Sequence, residues 1–243
     1  MVVLAFVLAT SLAMVHLFAG RLLFLDSIPR SRWLSFGSGI SVAYIFVHLL
    51  PELAQGQRIL DQVDGPLMAA VESHVWLIAL SGLVVFYGIE RAAKCARPAG
   101  TQDATGSGSD PKVFWLHIGS FAAYNVVIGY LLLHRAEDGI GNMLLFWFAM
   151  LLHFMVNDFG LREHHRLDYT HFGRWVLGLA VVGGWLLGVA FELSEPMVAV
   201  LLAFIGGGVV LNVMKEELPE ERDSSFVFFA GGAAAYALVL LSI

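Results

Sequence analysis

Apolar residues come along this chain in blocks of about 20, separated by short polar stretches. A helix needs about that length to cross a hydrocarbon core of ~30 Å. The blocks predict eight membrane-crossing helices, at roughly 2–25, 33–54, 73–93, 113–133, 141–160, 174–192, 196–215 and 225–243. The first block lacks a basic start and a small-residue cleavage site, so it reads as a retained helix and not a signal peptide. The stretch 95–112 is rich in Gly, Ser, Thr and Asp and reads as a flexible loop. The segment 55–72 reads as an outer loop, either irregular or containing a short interfacial helix. The connections 134–140 and 192–196 are short, which makes the helices they join antiparallel neighbours. The expected fold is a single all-α polytopic membrane domain spanning 1–243.

Two of the blocks are related. Residues Phe36 to Glu52 (FGSGISVAYIFVHLLPE) align without a gap on Phe204 to Glu220 (FIGGGVVLNVMKEELPE). Phe36/Phe204, Gly39/Gly207, Val42/Val210 and the closing Leu50-Pro51-Glu52/Leu218-Pro219-Glu220 coincide. The first lies in helix 2 and the second in helix 7. The asymmetry of Lys and Arg described below sets the first running outward and the second inward. Inverted repeats of this kind are common in secondary transporters, whose sites lie where the repeats meet. The pattern suggests three helices, a central hairpin (helices 4 and 5), then three more.

Composition agrees with the blocks: 58% hydrophobic and 14% charged residues exclude an ordinary soluble domain. The net charge of −6 does not set orientation, which follows Lys and Arg. With the N-terminus outside, the cytoplasmic side holds Arg21, Arg30, Arg32, Arg91, Lys94, Arg97, Lys112, Arg162, Arg166, Arg174, Lys215 and Arg222. The other side holds Arg58 and Arg135. This asymmetry places the chain in the cell (inner) membrane with both termini on the non-cytoplasmic side. The single cysteine, Cys95, excludes an intrachain disulfide and a multi-cysteine metal site.

Polar and ionisable groups at membrane depth are costly, so each is a functional candidate. Helix 4 carries His117, Tyr124 and Asn125, and helix 5 carries His153, Asn157 and Asp158. His153 and Asn157 are four apart and share a helix face. Antiparallel packing sets Asn125 and His153 at similar depth. A track from Asn125 through His153 and Asn157 to Asp158 follows. Such groups bind a borderline divalent cation such as Zn2+ or relay protons, and they also serve as plain hydrogen bonds between helices. His48 and Glu52 at the outer end of helix 2 are a candidate entrance. Glu216 and Glu220, in an acidic cluster at the inner end of helix 7, are a candidate exit, with His117 near the cytoplasmic end of helix 4. His16 reads as a packed or hydrogen-bonded histidine and Asn212 as an interhelical contact. The dense glycines of helices 6 and 7 read as sites of close helix approach.

Eight helices, outer termini, a variable loop between helices 3 and 4, and the HLLPE and ELPE endings together resemble the ZIP (Zrt/Irt-like) family of divalent-metal transporters. The resemblance implies a three-two-three arrangement with inverted repeats, often a homodimer, moving zinc or iron into the cytoplasm. The family's metal site uses a His-Asn-x-x-Glu-Gly-type stretch in helix 4 and a His-Glu-x-Pro-His/Glu-type stretch in helix 5. Here the first reads Tyr124-Asn125-Val126-Val127-Ile128-Gly129 and the second His153-Phe154-Met155-Val156-Asn157. Asn125, Gly129 and His153 match. The histidine has become Tyr124, the carboxylates Ile128 and Phe154, the proline Val156 and the last ligand Asn157. Only Asn125, His153 and Asn157 carry over, so the family's binuclear site cannot be built here. Asp158 is one residue on, ~100° around the helix.

The resemblance implies transport of a divalent, zinc-like cation as substrate, by alternating access. The alternative is a non-transporting membrane sensor or assembly subunit that kept the fold and lost the metal site. No resident cofactor is implied, no nucleophile constellation suggests an enzyme, and the expected surroundings are the lipid bilayer and a second copy of the chain, not nucleic acid.

Overall fold

The computed structural model describes residues 1–18, 30–62, 75–95, 111–135, 139–164, 168–217 and 225–241. These residues are helical nearly throughout, and no strand occurs among them. The helices are α1 (Val2–Phe18), α2 (30–60), α3 (Val75–Cys95), α4 (Pro111–His134), α5 (Ile140–His164), α6 (Tyr169–Ala190), α7 (195–217) and α8 (Phe226–Leu241). Five contain spans long and apolar enough to cross a membrane: Ser35–Leu60, Val75–Ala92, Phe114–His134, Tyr169–Ala190 and Glu195–Lys215. Shorter apolar helices lie at Val2–Phe18, Ile140–Met155 and Phe226–Leu240. This is an all-α membrane architecture.

Two helix ends differ from the sequence reading. Helix α2 continues past residue 54 to Leu60, because Leu53 and Leu60 are buried and Gly56 packs on Ala199 of α7. The helix therefore takes up the start of the expected 55–72 loop. Helix α6 begins at Tyr169 and not at 174, its first turn wound wider than an α-turn (Tyr169–Gly173). Most of the expected 95–112 loop lies outside the described residues.

The chain divides into two compact units. The first comprises Met1–Asp26 and Gly88–Phe191, and the second Ser27–Tyr87 and Glu192–Ile243. In the first, α6 packs on α4 and α1, and α1 also lies against α5. Trp147 Nε1 on α5 donates to Ser11 Oγ on α1 at 2.7 Å. The α4–α6 pair is set by two glycines facing backbone. A Cβ at Gly129 would overlap the Val181 carbonyl oxygen, and one at Gly184 would overlap that of Val126. Where small residues replace side chains, helix backbones come into direct contact.

The second unit uses the same device twice. On α2 and α8, a Cβ at Gly39 would overlap the Phe229 carbonyl oxygen, and one at Gly232 that of Phe36. On α7 and α3, a Cβ at Gly207 would overlap the Ala79 carbonyl oxygen, and one at Gly82 that of Phe204. In each pair the two glycines lie at one crossing of the two helices. Gly206 on α7 packs on Leu49 and Leu53 while Gly56 packs on Ala199, so α2 and α7 are antiparallel. Residues 35–42 and 203–210 also share one order of buried and half-buried positions.

Each of these two helices contains one π-turn, Ile45–Leu49 in α2 and Val213–Glu217 in α7. The turns occupy the same place in the alignment that pairs Phe36 with Phe204. In α2 the Leu50 N–H reaches back five residues to the Ile45 carbonyl. The cause is local: Pro51 has no N–H to give, and its ring crowds the carbonyl four residues back. One extra residue in the preceding turn relieves that crowding. The sequence repeats the arrangement, with Pro219 two residues beyond the second turn.

Candidate functional site

Five buried polar side chains of the first unit gather on α1, α4 and α5. His16, Asn125, His153, Asn157 and Asp158 are all buried, Asp158 completely. They form two clusters, divided as helix geometry requires. On α5, Phe154 and Asp158 share one face, and His153 and Asn157 share the face ~100° away. On α4, the neighbours Tyr124 and Asn125 diverge by the same angle.

The first cluster is a chain of three side chains. His16 Nδ1 lies 2.8 Å from Asp158 Oδ1, and Asn125 Nδ2 lies 2.9 Å from His16 Nε2. The same Nδ2 donates to the Leu177 carbonyl oxygen at 3.3 Å. A carbonyl accepts only, so this contact fixes the Asn125 amide with its nitrogen toward His16. His16 Nε2 is therefore the acceptor, and the ring proton sits on Nδ1, donated to the carboxylate. Phe154 closes the cluster from above, its ring 4.5 Å from that of His16.

The second cluster centres on His153 Nε2. Tyr124 Oη and Asn157 Nδ2 each lie 3.4 Å from it. At the two positions where the resemblance expects a histidine and a carboxylate, the chain thus places Tyr124 against His153 and Phe154 against His16. Asn125 reaches Asp158 through His16, not by the expected path through His153 and Asn157. Among the described residues, no three His, Cys, Asp or Glu side chains converge as metal ligands would.

Tyr169 adds a group that the sequence reading left outside helix 6. Its ring is buried with Phe114, Ile118, Leu161 and Leu177. Gly173, whose Cβ would meet the ring at 2.8 Å, leaves room for it. Its hydroxyl lies near enough to the Asp158 carboxylate to interact with it.

The remaining candidates stand apart from these clusters. His117 is buried on α4 with its ring beside Phe121. In the second unit, His48 is half-buried within the π-turn of α2 and stacks on Tyr44 at 5.4 Å, with Glu52 one turn later. The side chain of Glu216 and the whole of Glu220 lie outside the described residues. His16 was legible only as an ionisable residue in an apolar block. Nothing local linked it to Asp158.

No family model, curated protein or solved structure matches this chain.

Proposed function

We propose that the chain is a ZIP-like membrane transporter that moves a divalent, zinc-like cation into the cytoplasm by alternating access. In this reading the helices form a three-two-three arrangement, and α2–α3 and α7–α8 belong to inverted repeats. One observation carries it: two antiparallel helices with aligned sequences hold π-turns at aligned positions, each before a Leu-Pro-Glu or Glu-Leu-Pro-Glu ending. Symmetry of this kind within one membrane chain is the architecture of secondary transporters. π-turns also occur frequently at functional sites. The cargo reading rests on the buried oxygen and nitrogen donors His153, Asn157, Asn125 and Asp158. Both termini lie on the non-cytoplasmic side, and a homodimer is the expected assembly.

Uptake of radiolabelled zinc into proteoliposomes tests this. The protein accelerates uptake over empty liposomes, and His153→Ala together with Asp158→Ala abolishes the difference. Unchanged uptake in that double variant rejects the site.

A second reading, a non-transporting sensor or assembly subunit, is favoured by the side chains that replace ligands. Tyr124 makes a direct hydrogen bond to His153, and the Phe154 ring covers His16. Purified protein without zinc uptake and without a zinc-dependent thermal shift supports it. Stoichiometric zinc retained through purification excludes it.

A further inference from the structure

Three aromatic side chains stand exposed at one end of the first unit. Trp115 lies near the start of α4, and Phe172 and Trp175 lie near the start of α6. Ile118 meets Gly173 and, further on, Val126 meets Gly184, so α4 and α6 run in the same direction and begin together. The Trp115 and Phe172 rings are 6.4 Å apart and join the two helices on their exposed face. Phe172 and Trp175 are three apart and share that face of α6. Exposed tryptophans at a helix end belong at the headgroup level of a bilayer, where an amphipathic ring is satisfied.

Basic groups accompany the rings. Lys112 is exposed three residues before Trp115, on the same side of α4. The guanidinium carbon of Arg174 lies 5.6 Å from the centre of the Trp175 ring. Arg174 falls inside the apolar span Tyr169–Ala190, about 7.5 Å along the axis from its start. Among the described residues no carboxylate forms an ion pair with it, and its Nε has no hydrogen-bond partner. An arginine at that depth is costly without an anion, and its stem is long enough to carry the charge toward the headgroups.

We propose that this face of α4 and α6 holds an anionic phospholipid, its phosphate on Arg174 and Lys112 and its glycerol and upper acyl carbons on Trp115, Phe172 and Trp175. Charge and depth choose the occupant. A guanidinium meets a phosphate through two parallel N–H···O bonds. The asymmetry of Lys and Arg sets this end at the cytoplasm, where the leaflet is anionic. The rings beside the cations offer an apolar surface that a free phosphate cannot use and an acyl chain can. Leu179, exposed one turn beyond Trp175, extends that surface along α6. None of these residues belongs to the clusters around His16 and His153, so the lipid site stands whether or not the chain moves zinc.

The test uses full-length protein reconstituted in phosphatidylcholine with rising fractions of phosphatidylglycerol brominated on its acyl chains. Bromine quenches tryptophan on contact, so Trp115 and Trp175 report an occupied site. Brominated phosphatidylglycerol reaches half-quenching at a lower fraction than brominated phosphatidylcholine added in the same way. Arg174→Gln raises the half-quenching fraction about fivefold, and Lys112→Gln does the same. Arg174→Lys keeps the charge and stays within about twofold of wild type. Arg58→Gln removes a charge from the far end of α2 and leaves the wild-type curve unchanged. Equal half-quenching by the two brominated lipids in wild type overturns the proposal. So does an equal shift in Arg174→Gln and Arg58→Gln, which marks an effect of total charge. If Arg174→Gln does not reconstitute, Lys112→Gln against Arg58→Gln makes the same comparison.

Discussion

Neighbouring glycines on α6 separate close helix contact from simple helix composition. Gly183 and Gly184 are adjacent, in the same helix and the same solvent. A Cβ at Gly183 meets nothing within 4 Å, whereas one at Gly184 overlaps the Val126 carbonyl oxygen of α4. Replacing either glycine by alanine gains about 0.8–1 kcal/mol of helix propensity. Only Gly184→Ala must also push two backbones apart, because a carbonyl within a helix cannot swing aside. Overpacking of this kind costs about 1–3 kcal/mol. The two substitutions should therefore differ by about 1–3 kcal/mol, with Gly183→Ala neutral to stabilising and Gly184→Ala neutral to destabilising by up to ~2 kcal/mol. Reversible unfolding in mixed micelles measures the difference. Equal stabilities for the two variants would refute the contact between α4 and α6. The same reasoning applies to Gly39, Gly82, Gly207 and Gly232 in the second unit.

Other outcomes follow from single contacts. Asp158→Ala leaves the His16 Nδ1–H buried without an acceptor and destabilises by about 1–3 kcal/mol in the same assay, and Asp158→Asn by less because its carbonyl still accepts. Ser11→Ala removes the acceptor of Trp147 Nε1–H, costing about 0.5–1.5 kcal/mol and shifting the tryptophan fluorescence. Cys95, the single native cysteine, reacts with an impermeant maleimide in inside-out vesicles and is protected in right-side-out cells, as the positive-inside orientation requires.

The number and approximate place of the helices were legible because hydropathy integrates over a whole crossing. Their ends were less so. The 55–60 stretch reads as a polar loop until Gly56 is seen against Ala199. The start of α6 was hidden because Thr170 and His171 break the apolar block, although Tyr169 behind them is buried. The relation between Phe36–Glu52 and Phe204–Glu220 was visible as six matching residues. The deeper likeness lies in the π-turns and in which carbonyls the glycines face, neither of which a substitution pattern displays. In the site, the i to i+4 spacing of His153 and Asn157 predicted their shared face. The partner that joins Asn125 to Asp158 came from α1, far away in sequence, where a lone histidine carries no signal of its target. Tyr124 and Phe154 could be read as departures from a metal-site pattern, but not as side chains that occupy the vacated positions.

The opposite orientation of the two related segments is the foundation of the account, and sidedness labelling tests it directly. In a Cys95→Ser background, one cysteine replaces Gln55, just beyond the first Leu-Pro-Glu, and in a separate protein one replaces Glu221, just beyond the second. The account predicts that an impermeant maleimide added to intact cells labels the cysteine at position 55 and spares the one at 221, with the pattern reversed in inside-out vesicles. Labelling of both positions from the same side would contradict it.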